Sequence, residues 1–529
     1  MLSSAAVTTG NAEKKPELAN IRFTGHALVD VGVAGLCAFA KKKRPEELTL
    51  DDLDRASEWL TKVYYERRLN SYLTCVFMNA SFVQPKEGDG KREAFKRQYL
   101  AAHRAAPHPD VAGLRCIFSQ EPATSPLVRT HFPLFSAEGV LNFRPNGTAF
   151  LPVAGPFVVA IMFLPMACRR SEGRMLAVHA DAPSLTLAFA RRYLEDNRRL
   201  LALPLPEEKA VVHPEFAREQ PMWDGTKKRN KFADAKGPRS LVVNDLTELA
   251  GEVGIDEVDG PTSLDAYLVS NSGQGPSLDV FNVPSGVAAF VLKAAAPSTA
   301  AAWKAVSSRF QRLNEKKDDE AKGAGKKAPR GKAADPVPGR AGWSKNWAFE
   351  ELCDVFDAGF TDRARAAAWL SRHVLGRIHQ KSGQPRYRDG SARQWELAAL
   401  FMKEVLGMNT GRIDAIKTFA DKLAEWINQK RDKKLFNAIL FEKLSELEHR
   451  LRTVQHESAK SAGGTLLFGL DEYRNVWLHE DGDRFLVRDL ISIRVVETLH
   501  QKNWFRDNLD IVVDQDAAPR AQTSEEITA

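Results

Sequence analysis

Residues 315–345, EKKDDEAKGAGKKAPRGKAADPVPGRAGWSK, carry almost no large apolar side chain, repeat Gly, Pro and Ala, and cluster lysine and arginine between Lys322 and Arg340. A stretch of this kind cannot bury enough apolar surface to offset the entropy of ordering it, so it reads as a solvated, basic, flexible linker. The chain must then fold as separate bodies on either side. Upstream, strand-like, turn-rich segments alternate with helices; downstream, apolar residues fall almost wholly at helical spacing. The expectation is an α+β protein. A disordered lead-in covers 1–20, a mixed α/β N-terminal body 21–314, and the linker 315–345. A C-terminal α-helical bundle over 346–510 and an acidic tail over 511–529 complete it.

With 529 residues the chain is long enough for two or three cores, and 43% apolar and 27% charged residues place it in the ordinary globular range. Its net charge of +7 is mild over that length, so local clustering matters more than the sum. The five cysteines, Cys37, Cys75, Cys116, Cys168 and Cys353, are widely spaced with no C-x-x-C pair, which speaks against a disulfide framework and a cysteine zinc site. No signal-peptide core occurs near the start, and the most apolar run, GPFVVAIMFLPM, is too short to span a bilayer. These features describe a soluble cytoplasmic protein.

In chain order, Thr24 is placed to cap a helix whose Leu28, Val31, Val33, Leu36 and Phe39 form a broad apolar surface, with Gly32 and Gly35 allowing close backbone approach. This element is expected to end in the KKKR run before Pro45. Thr49-Leu-Asp-Asp signals the next helix. Ser71–Phe77 reads as a strand feeding an exposed loop with Asn79, Ser81, Phe82 and Gln84. Amide side chains donate and accept at base edges, and an aromatic can wedge or stack. A basic helix with Lys91, Arg92, Lys96, Arg97 and Arg104 follows. Arg115–Ser119 looks like half a zinc knuckle. Met175–Ala180 reads as a core strand, Ser184–Leu203 as a helix with Arg191, Arg192, Arg198 and Arg199 exposed, and Val242–Val253 as a helix. Thr262–Phe290 reads as short strands and turns, and Ser298–Leu313 as a helix.

The sharpest basic loop is 223–239, WDGTKKRNKFADAKGPR, where Lys227, Lys228, Arg229 and Lys231 are interleaved with Trp223 and Phe232. Such a loop neutralises several phosphates and makes affinity fall steeply with salt. A second, HQKSGQPRYRDGSAR, sets Arg386 and Arg388 around Tyr387. A plain solvated face is the alternative for each. Beyond the linker, Leu370, Val374 and Ile378 form one stripe. Ile416, Phe419, Leu423, Trp426 and Ile427 form a second, Leu440, Leu444, Leu447, Leu451 and Val454 a third, and Leu486, Leu490, Ile493 and Val496 a fourth.

Catalytic signatures are missing. There is no Walker loop, no zincin motif and no G-x-S-x-G elbow, and the His26/Asp30 and His179/Asp181 pairs read as polar caps or turns. The sequence describes a binder, with no catalytic residue, metal or cofactor expected.

Several stretches recur in a known order. Thr24-Gly-His-Ala-Leu-Val-Asp-Val-Gly-Val resembles the opening helix of the large subunit of type I-B CRISPR Cascade complexes. Met78-Asn-Ala-Ser-Phe-Val-Gln-Pro resembles that family's Asn-Ser-Ser-Phe-type loop. Phe132-Pro-Leu-Phe-Ser, Leu151-Pro-Val-Ala-Gly-Pro, Val178-His-Ala-Asp and the Trp395–Ile416 helical run follow in sequence. Members often carry a C-x-x-C pair near Cys116, and this chain has none there. The resemblance implies a non-catalytic subunit that reads the protospacer-adjacent motif on duplex DNA through Asn79, Ser81, Phe82 and Gln84. It implies a helical bundle that holds the displaced strand. The partners it implies are CRISPR RNA, target DNA, the handle-holding and backbone subunits, and a helicase-nuclease or transposition factor. Lys91, Arg92, Lys227, Lys228, Arg229, Lys231, Arg386 and Arg388 are the expected phosphate contacts. The alternatives are an assembly scaffold that binds guide RNA without reading DNA, and a recruiter for guided transposition.

Overall fold

Helix α1 (Ala27–Ala40) is apolar around its whole circumference, and such a helix is stable only when covered on every side. The structure is a computed structural model that describes residues 17–65, 69–77, 80, 83, 89–128, 150–171, 174–202, 238–252, 262–271, 277–307, 347–357, 363–375, 394–460, 466–479 and 483–508. In it every residue of α1 from Leu28 to Ala38 is buried. The protein is α+β, mostly helical, with two small antiparallel sheets among the described residues. It divides into two compact units, one formed by 1–238 with 264–281, the other by 239–263 with 282–529.

In the first unit α1 packs against α2 (Leu50–Tyr64), α4 (Gly155–Phe163) and α5 (Pro183–Ala202), with α3 (Asp89–Phe95) between α2 and α4 in the chain. Gly32 permits the closest approach: a Cβ there would sit 2.2 Å from the Ala160 carbonyl oxygen of α4. The helix starts without a side-chain cap at His26. Thr24 does not cap it; instead Asp30 reaches back to accept from Thr24 N–H (2.6 Å), Thr24 Oγ1 (2.8 Å) and Gly25 N–H (2.9 Å). It ends at Lys41, whose left-handed backbone (φ 59°) turns the chain before the charged run and Pro45. The expected start of α2 is present as a full capping box between Thr49 and Asp52.

Ser71–Phe77 is not a strand. Asn70–Leu73 forms one helical turn and the chain then turns through Val76. The β-favouring residues Tyr72, Cys75, Val76 and Phe77 are buried in the helical core, where Tyr72 donates its hydroxyl to the Pro165 carbonyl (2.9 Å), so packing overrides local propensity. Strands β1 (Ser125–Leu127) and β2 (Leu151–Val153) pair antiparallel. The larger sheet runs β3–β4–β5–β6, from Arg169–Ser171, Arg174–Ala180, Leu264–Ser270 and Ser277–Val283. The expected core strand β4 lies inside it, with Val178 opposite Ala266 of β5. Of the four arginines expected exposed on α5, Arg191 and Arg199 are so; Arg192 and Arg198 are half-buried. The Arg198 guanidinium lies 4.8 Å from the Phe39 ring centroid and 5.4 Å from that of Trp59.

In the second unit α6 (Pro238–Glu252, entering at Arg239), α7 (Ser285–Ala294) and α8 (Ala300–Ser307) join the C-terminal helices. These are α9 (Trp347–Asp357), α10 (Arg363–Trp369), α11 (Gln394–Glu404) and α12 (Thr410–Lys430), followed by α13 (Lys433–Leu440), α14 (Leu444–Ala459), α15 (Leu470–Trp477) and α16 (Arg484–Gln501). Residues 285–290, expected as strand and turn, open α7, because Val287, Phe290, Val291 and Ala294 recur at helical spacing and are buried. Phe290 is the hub: its ring meets Trp303, Trp369 and Phe401 edge-on at 5.4, 6.1 and 5.7 Å. That hub ties α7 and α8 to the downstream helices, so the compact units part at 238/239 rather than at 315–345, a segment outside the described residues. The α12 and α16 stripes are buried as read, whereas the Leu440–Val454 stripe is split between α13 and α14 by a turn over 441–443.

Candidate nucleic-acid interface

The proposed motif-reading loop starts from a fixed point. At the end of β5 Asn271, fully buried, donates its backbone N–H to the Cys75 carbonyl (2.6 Å) and its Nδ2 to the Val76 carbonyl (3.1 Å). These bonds pin the chain immediately before the loop to the sheet. Asn79, Ser81, Phe82 and Gln84 themselves lie outside the described residues. Of their neighbours, Ala80 is buried and accepts from the Val83 N–H at 3.0 Å.

The basic segment that follows is described, and its cations differ in what they are committed to. On α3 Lys91 is exposed and makes no ion pair among the described residues. Arg92 is half-buried, with its guanidinium 5.5 Å from the Tyr65 ring centroid and its carbonyl accepting from the Tyr65 hydroxyl (3.3 Å). Beyond α3 the helix widens into a π-turn over Lys96–Leu100, where Arg97 is exposed and Lys96 lies 4.0 Å from Glu93. Arg104 is exposed but paired: its Nη2 lies 2.7 Å from Asp54 Oδ2, and His103 Nε2 lies 2.8 Å from the other Asp54 oxygen. The Arg104 hydrogen bond is the main reason the Asp54 carboxyl is held below its ordinary range. Lys91, Arg92 and Arg97 are therefore the described cations of this stretch with no carboxylate partner among the described residues. Lys227, Lys228, Arg229, Lys231, Arg386 and Arg388 lie outside the described residues, so this structure brings none of them to the site.

The half-knuckle is a tight turn. The Cys116 N–H donates to the Glu121 carbonyl (2.7 Å), its carbonyl accepts from Gln120 N–H (2.9 Å), and its sulfur accepts from Phe118 N–H (3.4 Å). All five cysteines are buried and none is in a disulfide, and burial pushes the Cys37 thiol up to about 12, which makes it unreactive. Among the described residues no three His, Cys, Asp or Glu side chains are grouped to hold a metal ion, and no helix is long and apolar enough to cross a membrane.

Sequence reasoning missed one polar node. His179 of β4 places Nε2 3.5 Å from Asp30 Oδ2, beside the three bonds Asp30 makes to Thr24 and Gly25. Nearby, His26 is half-buried and held below its ordinary value, chiefly by burial. The pairing joins residues distant in the chain, so local spacing carries no trace of it. No protein family, curated protein or solved structure matches the chain.

Proposed function

We propose that the chain is the large, motif-reading subunit of an RNA-guided CRISPR surveillance complex of type I-B kind, acting in the cytoplasm. It reads a short motif on duplex DNA, helps open the duplex and holds the displaced strand, while guide pairing reads the rest of the sequence. The observation that carries this reading is the convergence at Asp30. Two stretches on which the resemblance rests, Thr24–Val33 and Val178–Asp181, meet there through the Thr24, Gly25 and His179 contacts. The node is structural, and what it supports is the resemblance, and through it the function. The cations Lys91, Arg92 and Arg97, which have no carboxylate partner among the described residues, agree with a neighbouring phosphate backbone.

The test is reconstitution with CRISPR RNA and the remaining subunits, followed by duplex binding across a panel of motif sequences. Asn79→Ala with Gln84→Ala should abolish motif preference, each base-edge contact being worth about 1–3 kcal/mol of discrimination. Lys91→Ser with Arg92→Ser should weaken all sequences alike and flatten the salt dependence. A chain that assembles with the guide but leaves motif preference untouched in the first variant is a scaffold. A chain that does not assemble with CRISPR RNA at all refutes the reading.

A further inference from the structure

A second basic surface lies in the other unit, at the corner between α12 and α13. There Trp426, Lys430, Arg431, Lys434 and Arg450 surround a cleft of about 570 Å³, together with Lys433, Asp432 and Glu457. Its single buried carboxylate is wholly occupied. Asp432 caps α13 by accepting from Leu435 N–H (2.9 Å), and its other oxygen accepts from Trp426 Nε1 (3.1 Å) and Arg450 Nη2 (2.6 Å). Burial opposes the charge on Arg450, but its bond to Asp432 and the Asp432 and Glu457 charges more than offset this and hold it above its ordinary value. The floor is thus a fixed ion pair with a fixed orientation.

The rim is different. Lys430, Arg431 and Lys434 are exposed and make no ion pair among the described residues, and Lys430 rides 5.7 Å from the Trp426 ring centroid. Counting every ionised lining group gives five cations, Lys430, Arg431, Lys433, Lys434 and Arg450, against two anions, Asp432 and Glu457. A lone carboxylate would need one of the rim cations. Three of them around one concavity match an anion with several charges close together, which among biological ligands means adjacent phosphates.

We infer that the α12–α13 corner binds a pair or run of closely spaced phosphate groups. Two sources present that chemistry: the backbone of a single nucleic-acid strand, and a small polyphosphate. The inference rests on the cleft alone and is tested on the isolated full chain, without guide RNA or partner subunits, so its failure is separate from failure of the assembled complex to read a motif.

The experiment titrates the full chain with inorganic triphosphate, followed by calorimetry, and with a fluorescent 12-nucleotide oligo-dT, followed by anisotropy at two salt concentrations. The variant combines Lys430→Gln, Arg431→Asn and Lys434→Gln, choices that keep helix propensity and suit the left-handed backbone of Arg431 (φ 48°). A charge-matched control replaces the exposed Lys41, Lys43 and Lys62 of the other unit with Asn, Gln and Gln. Binding of at least one ligand should fall about tenfold or more in the variant and stay unchanged in the control. For the oligonucleotide the slope of log affinity against log salt should shrink by about 2, three lost contacts at about 0.7 each. Stoichiometric triphosphate binding that displaces the oligonucleotide identifies the small polyphosphate as ligand. Oligonucleotide binding that triphosphate does not displace identifies the strand. Unchanged binding of both ligands in the variant, equal loss in the control, or equal competition by a glutamate peptide of matched charge overturns the inference.

Discussion

Two single positions in the first unit set the terms of its core. At Gly32 the missing side chain lets α1 lie against the backbone of α4, and a methyl group would meet the Ala160 carbonyl oxygen at 2.2 Å. Because the obstacle is backbone, neither helix can give way by a rotamer change. Gly32→Ala should cost roughly 1–3 kcal/mol or more, read as a lower urea midpoint for the first unit; an unshifted midpoint would mean the helices are not in this contact. The close approach was legible in the sequence, since glycines within an apolar helix have few other uses. His103 was not. Its side chain is fully buried, Nε2 lies 2.8 Å from Asp54, and Nδ1 is buried with no partner among the described residues. Protonating Nδ1 would strand an N–H, and burial holds the group below the ordinary histidine value of 6.5. A histidine depressed in the fold takes up its proton first in the unfolded chain. Stability is therefore full above about pH 6.5 and falls as the pH drops through that value toward the folded one. His103→Gln keeps a donor for Asp54 without titrating. Its thermal midpoint should fall less than that of the unsubstituted chain between pH 7 and 5, and parallel curves would rule out this assignment.

At the scale of elements, what could be read depended on how local its cause is. The capping box of α2 lies within four residues, and the α12 and α16 stripes repeat within single helices, so periodicity exposes them. The turn after Asn70 and helix α7 rest on distant partners: Tyr72 on Pro165, Phe290 on Trp303, Trp369 and Phe401. After Asn70 local propensity points to strand and loses, whereas in α7 the helical spacing of Val287, Phe290, Val291 and Ala294 is local and only the partners of that face are distant. The tie between α5 and the turn after α4 is of the same long-range kind. Buried Asn197 donates Nδ2 to the carbonyls of Met166 and Cys168, both at 3.0 Å, which satisfies the carbonyls where the chain leaves its 3₁₀ turn and enters β3. Asn197→Leu fits the volume but leaves both acceptors unpaired at about 1–3 kcal/mol each. The expected result is a loss of roughly 2 kcal/mol or more in urea unfolding, and near-wild-type stability would show that water replaces the amide.

Across the whole molecule, all described strands lie upstream of the composition break at 315–345, and the described elements downstream of it are helices. The break does not mark the boundary of the compact units, because Phe290 of α7 and Trp303 of α8 join the aromatic core of the second unit and nothing in their own periodicity reveals where those rings go. The candidate interface was legible only as residue types, since most of the residues expected to touch nucleic acid lie outside the described part of the chain. The placement of tryptophan turns this division into a measurement. Of the ten tryptophans, Trp59 and Trp223 belong to the first unit and eight to the second, where Trp303, Trp369 and Trp477 are nearly inaccessible to water. Fluorescence then reports mainly the second unit, while far-UV circular dichroism reports helices of both. In the Gly32→Ala chain the first unit is weakened and the second is untouched, so an early dichroism loss should appear at lower urea while the fluorescence transition keeps its wild-type midpoint. If both signals shift together by the same amount, the two cores unfold as one cooperative body and the division at 238/239 has no thermodynamic meaning.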